Sequence, residues 1–176
     1  MRRFLLVDDE INILQALQRT LRQKIRDEEF LMELYTDPEQ ALERISEATF
    51  DFVISDFHMP KMNGVDFLER VRDAQPDAVR LMLSASADFD TIMNAINRAE
   101  VFRYISKPWI AAELEEIIRL SLARRDKVME DRHLADELRV QRGALTPQEL
   151  EARLLEEDEP GITKVNWGPD GSVMLD

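Results

Sequence analysis

The stretch Phe4-Leu5-Leu6-Val7-Asp8-Asp9-Glu10 decides the fold. An unbroken apolar run without the alternation of a half-buried strand suits a short strand covered on both faces, as in the middle of a parallel sheet. The run stops abruptly on acids, so the strand delivers charge at its carboxyl end. Ile11, Leu14, Leu17 and Leu21 follow at steps of three and four, the stripe of an amphipathic helix. A buried strand leading through acids into a helix is the first half of a βαβ unit.

The same pattern recurs downstream. Phe30 to Tyr35 reads as a second strand, and Asp37-Pro38 opens a helix with Asp as N-cap and Pro at the first helical position. Ala41, Leu42 and Ile45 give that helix its buried side. Phe52-Val53-Ile54-Ser55 is a third strand stopped by Asp56, and residues 59–64 (MPKMNG) form a loop by composition. Val65, Leu68 and Val71 mark the next helix, and Val79 to Leu83 a fourth strand. Asp88 to Ala99 predicts a helix carrying Ile92, Met93 and Ile96. Val101 to Ile105 is a fifth strand, and a fifth helix follows Lys107-Pro108. Strict alternation of strand and helix implies a parallel sheet with helices on both faces.

The fifth helix does not stop where such a domain ends. From Ala111 to Arg142 there is no Pro or Gly, and Leu114, Ile117, Ile118, Ser121, Val128, Ala135 and Leu138 keep a loose heptad-like seam. Gly143 breaks it. Thr146-Pro147-Gln148-Glu149 starts a short helix with a capping box, and Glu156 to Glu159 followed by Pro160-Gly161 ends it. Ile162 to Trp167 and Ser172 to Leu175 flank Gly168-Pro169-Asp170-Gly171 and read as a small β-hairpin. A lone hairpin is marginal in water, so it is expected to dock on its own domain, a second copy or a target. The expected organisation is a domain over 1–122, a helical continuation over 123–143, and a short helix with a hairpin tail over 144–176.

Composition narrows the function. Lys and Arg total 23 against 36 Asp and Glu, a net charge of -13 over 176 residues. Phosphate backbones and anionic lipid repel such a surface, which argues against nucleic-acid and membrane partners. The absence of cysteine rules out disulfides, thiol nucleophiles and Cys-ligated zinc. No apolar run is long enough to span a bilayer. The apolar run after Met1-Arg2-Arg3 is too short for a signal peptide. A soluble cytoplasmic protein is the expectation.

The chemistry lies at the strand ends: Asp8-Asp9 after the first, Asp56 after the third, Ser84 after the fourth and Lys107 after the fifth. In open parallel sheets, ligands bind outside the carboxyl ends of the strands at the switch point in strand order. With the first strand central, these residues converge. Clustered carboxylates repel one another, and a hard divalent cation such as magnesium resolves the conflict. Lys107 adds a fixed positive charge and Ser84 a hydroxyl. The pocket is equipped to stabilise a phosphoryl group, with one aspartate as its acceptor. Asp56, alone at its strand end, suits that role, and the Asp8-Asp9 pair suits the metal. Taken alone, Asp8-Asp9 also fits an acidic helix start.

Val7-Asp8-Asp9-Glu10, Asp56-Phe57-His58-Met59-Pro60-Lys61-Met62-Asn63-Gly64, Ser84-Ala85 and Lys107-Pro108 together resemble the signature of the response-regulator receiver domain, over residues 1 to about 122. The resemblance implies a flavodoxin-like, doubly wound five-stranded parallel α/β sheet of order 2-1-3-4-5. It implies phosphorylation of Asp56 by a histidine kinase or phosphotransfer protein. It implies Mg2+ held by Asp8, Asp9, Asp56 and the backbone carbonyl of His58. It assigns Lys107 to the phosphoryl oxygens and makes Ser84 and Tyr104 the switch pair, with Lys107-Pro108 as a cis peptide. Phe102 to Trp109 resembles receivers that precede cyclic-dinucleotide hydrolase domains of the HD-GYP type. The expectation is a two-component phosphoprotein that forms an aspartyl phosphate and switches a protein-protein contact or homodimerisation. It has an unknown downstream protein, no DNA-binding or enzymatic output domain, and no catalysis beyond its own phosphorylation and dephosphorylation. The competing reading is an aspartate-nucleophile phosphatase of small phosphoesters. Such an enzyme needs a general acid two residues after the nucleophile, where this chain has His58.

Overall fold

A computed structural model describes residues 1–25, 29–85, 93, 97–158 and 162. Five strands, β1 (Arg2–Val7), β2 (Phe30–Tyr35), β3 (Phe52–Asp56), β4 (Val79–Ser84) and β5 (Arg103–Ser106), form one sheet in the order β2-β1-β3-β4-β5. Every neighbouring pair is parallel. The helices are α1 (Ile11–Lys24), α2 (Pro38–Glu47), α3 (Gly64–Ala74), the long α4 (Ala111–Gln141) and α5 (Pro147–Asp158). The helix expected over 88–99 lies mostly outside the described residues, of which 93 and 97–99 are helical. The expected hairpin over 162–175 lies outside them apart from Ile162.

Strand alternation sorts the apolar residues into two layers. Leu5, Val7, Val53 and Met82 pack with Ala41 and Ile45 of α2 and with Val65, Leu68 and Val71 of α3. Phe4, Leu6, Phe52, Ile54, Leu81 and Leu83 pack with Leu14, Leu17 and Leu21 of α1 and with Leu114, Ile118 and Leu122 of α4. Each fully buried Leu or Phe contributes about 1.5–3 kcal/mol. Phe4 also stacks on Phe30 at 5.1 Å and Phe52 at 5.2 Å. Leu14, not Ile11, begins the buried stripe of α1, since Ile11 is exposed.

The local signals act as their chemistry dictates. The Asp37 side chain accepts from the Glu39 amide at 3.0 Å and caps α2. Thr146 and Glu149 exchange the two bonds of a capping box at the start of α5. The fifth strand begins at Arg103 rather than Val101 because the chain first turns through Glu100, whose φ is 49°. That turn is held by Arg80, a buried residue of β4 that donates to the carbonyls of Ala99 at 2.8 Å and Ala78 at 2.7 Å.

The long helix α4 is attached in two ways. Its first half buries Leu114, Ile118, Ser121 and Leu122. Its second half is tied by charge: Arg125 to Asp51 at 2.7 Å, Asp126 to Arg2 at 2.6 Å, and Arg132 to Asp77 at 2.8 Å. The expected seam therefore divides within this chain, because Val128, Ala135 and Leu138 are exposed. Gly143, with φ +69°, lets the chain turn back into α5. Buried Asp136 then holds Arg139 at 2.6 Å and Arg153 at 3.5 Å, fastening α5 to α4.

Gln75, at the end of α3, serves three backbone groups at once. It accepts from the Phe50 amide at 2.8 Å and donates to the Ile45 and Ala48 carbonyls at 2.7 Å each. Gln75→Leu is predicted to leave them unpaired and lower stability by about 2–4 kcal/mol. Urea unfolding checks this, with an unchanged slope and a lower midpoint expected.

Candidate functional site

Parallel strands all present their carboxyl ends on one side, so their terminal residues meet in the loops there. Asp8 follows β1 directly and is buried, Asp9 is exposed beside it, and Asp56 closes β3 and is buried. One carboxylate oxygen from each lies within 4.8 Å of the others. Lys107, one residue beyond β5, places its Nζ 2.6 Å from Asp8 Oδ2 and 2.6 Å from Asp56 Oδ1. The convergence expected of Asp8, Asp9, Asp56 and Lys107 is present in the geometry.

Backbone bonds hold the cluster. The Glu10 amide donates to Asp8 Oδ1 at 2.9 Å, and the His58 amide donates to Asp56 Oδ2 at 2.9 Å. The Lys107 amide donates to the Ser84 carbonyl at 2.9 Å, which pins the lysine to the end of β4. The Lys107-Pro108 peptide is cis. Ser84 is fully buried at the end of β4. Tyr104 packs partly buried against the layer of α2 and α3, and its hydroxyl donates to the Ser84 carbonyl at 3.1 Å.

The electrostatics follow from one cation facing three carboxylates. Burial pushes the Asp8 carboxyl above its ordinary pKa, although Lys107 and the Glu10 amide pull the other way and the Asp56 charge adds to the rise. Burial also opposes the Lys107 charge, but its hydrogen bonds to Asp56 and Asp8 outweigh that, and its pKa lies above the usual lysine value. The cluster thus carries uncompensated negative charge in a partly dehydrated place. Its donors are hard oxygens, which suit Mg2+.

His58 faces solvent, with its ring edge against Phe57 at 4.5 Å. Gly64, which closes the 59–64 loop, begins α3. A Cβ there would fall 2.1 Å from the Asp56 carbonyl oxygen, so only glycine lets the loop after Asp56 close. The signal was the Asn63-Gly64 pair, where the Asn63 side chain caps α3 by accepting from the Asp66 amide at 2.9 Å.

Residues 4–119 match the model of the response regulator receiver domain. The chain belongs to the response-regulator receiver family. A relative, the hydrogenase transcriptional regulatory protein HoxA of Cupriavidus necator, is 34% identical over 115 residues, 65% of this chain and 23% of that protein. This receiver chain thus spans about a quarter of the length of such relatives. Among solved structures, the signal receiver domain of an HD domain-containing protein from Pseudomonas fluorescens Pf-5 is 34% identical with a TM-score of 0.66. It covers 72% of this chain and 98% of that one. A structure described as adenylate cyclase from Rhodopirellula baltica has a TM-score of 0.68 at 29% identity, covering 77% and 97% of the two chains.

Because its charge is disfavoured, Asp8 is predicted to destabilise the metal-free receiver. Asp8→Asn should raise its melting temperature by about 2–4 °C, about 1 kcal/mol, and reduce the further rise that MgCl2 gives the parent. Differential scanning calorimetry with EDTA and with Mg2+ checks both directions.

Proposed function

We propose that the chain is a Mg2+-dependent phosphoryl switch that accepts phosphate on Asp56 from a histidine kinase or phosphotransfer protein. One observation carries the reading: Asp8, Asp9 and Asp56 share a space small enough for one ion, with the Lys107 ammonium reaching two of them. Asp8, Asp9, Asp56 and the His58 carbonyl would hold the ion, which supplies charge neutralisation for the incoming phosphoryl oxygens. In the transfer, an Asp56 carboxylate oxygen bonds to phosphorus while the phosphorus–nitrogen bond of the donor phosphohistidine breaks. Lys107 then follows the negative charge from carboxylate to phosphoryl, which costs little because it is already in place.

In this reading the Ser84 hydroxyl turns toward the phosphoryl group. Tyr104 is coupled to the same residue through the Ser84 carbonyl and settles further inward. Phosphate shifts the equilibrium only by the energy with which it favours that arrangement. The output is a protein-protein contact or homodimerisation with an unidentified downstream partner. The receiver occupies residues 1–122, and residues 123–143 and 144–176 form its extension. The reading has the chain catalyse nothing beyond its own phosphorylation and dephosphorylation. It acts in the cytoplasm, a reading compatible with the lack, among the described residues, of any helix able to cross a membrane. The phosphatase reading gains no support from position 58, whose ring faces solvent.

Incubation with acetyl phosphate and Mg2+ is predicted to add one phosphoryl group by intact mass. Asp56→Asn should add none, and Lys107→Ala should be slowed roughly 10²-fold. Asp56→Asn labelled as readily as the parent would overturn the assignment.

A further inference from the structure

At the amino-terminal end of β4 and β5, far from the acidic site along the strands, lies a cavity of about 380 Å³ between the sheet and α4. Its wall combines apolar surface with charges of both signs: Phe102, Val128 and Met129 beside Arg80, Arg124 and Arg125, with Asp77 and Glu100. Arg124 lies over the Phe102 ring at 5.4 Å, and Arg103 lies over the same ring at 5.1 Å. Val128 leaves 47% of its surface exposed there.

The path of the chain says what covers it. Arg153 of α5 reaches Asp136, and Arg153 and Leu154 line a small cavity together with Met129, Arg132 and His133 of α4. The short helix therefore runs back along α4 toward the sheet. The few residues from Arg153 to Asp158 carry it about 7 Å further in that direction, beside Met129 at the rim of the cavity. The residues that follow, Ile162-Thr163-Lys164-Val165-Asn166-Trp167, set apolar side chains at 162, 165 and 167 behind the acidic run Glu156 to Glu159. Ile162 itself is 49% exposed. The wall's own acids are engaged, Asp77 by Arg132 and Glu100 by Arg80, which leaves Arg124 for the acidic run and the Phe102 surface for an indole.

We propose that residues 162–167 of the same chain dock in this cavity, with Trp167 as the anchor. This does not depend on the phosphoryl reading. The chain has two tryptophans, and Trp109 donates to Thr20 at 3.3 Å, away from the cavity. In full-length Trp109→Phe protein the Trp167 emission is therefore the readout. Docking predicts a blue-shifted maximum and several-fold weaker acrylamide quenching than free tryptophan amide, unchanged on dilution. Both are lost in Val128→Glu, which buries a charge at an otherwise exposed position, and weakened in Arg124→Ala, with circular dichroism confirming the fold of each variant. Emission of a solvated indole, protection indifferent to both variants, or protection that vanishes on dilution, as for a second copy, would each overturn the proposal.

Discussion

Three carboxylates crowded around one lysine are the constraint on which the structure depends. A parallel sheet brings Asp8, Asp9, Asp56 and Lys107 together because every strand ends on the same side. Like charges at that spacing in a partly dehydrated pocket disfavour one another. Lys107 is shared between Asp8 and Asp56 and offsets a single charge. Burial raises the Asp8 pKa above its ordinary value, and the Asp56 charge adds to the rise. Such a site is stable only within a scaffold that fixes its donors, which the amides of Glu10 and His58 and the close approach of Gly64 provide. In the proposed function that fixed geometry serves a cation and an anionic group together.

The two ends of the sheet are built on different physics. The carboxyl end gathers the acidic residues, with Ser84 buried at the end of β4 and the Tyr104 hydroxyl bonded to its carbonyl. The amino end is locked by satisfied polar anchors: Gln75 on three backbone groups, Arg80 on the turn at Glu100, and Arg125, Asp126 and Arg132 clamping α4. Arg80, the buried charge among them, persists because backbone carbonyls satisfy its donors. In the proposed switch, β4 and β5 are the strands whose backbones connect Ser84 and Tyr104 to the arginine-lined end.

Much of the site was legible because its residues stand at chain-local landmarks. An apolar run that ends on Asp8-Asp9, a strand stopped by Asp56 and a Lys107-Pro108 pair each announce a strand end, and parallel topology does the rest. The caps at Asp37 and at Thr146 with Glu149 were legible for the same reason: partner and donor are neighbours in the chain. Gln75 and Arg80 were not, because a polar residue near a helix end or within a strand looks solvated until its distant carbonyls are known. Arg125 and Asp51 likewise meet only in three dimensions. The seam along α4 misled where periodicity outran the sheet: past Leu122, Val128, Ala135 and Leu138 are exposed among the described residues, and ion pairs hold the helix.

Whether the three acids share one ion is the question that most directly decides the account. Mn2+ titration followed by electron paramagnetic resonance, on the parent and on Asp9→Asn and Asp56→Asn proteins, counts ions and measures their affinity. The account predicts one site per chain in the parent, weakened roughly tenfold or more by either substitution. Binding that both variants retain at parental strength would contradict it, since the cluster would then hold no common ion.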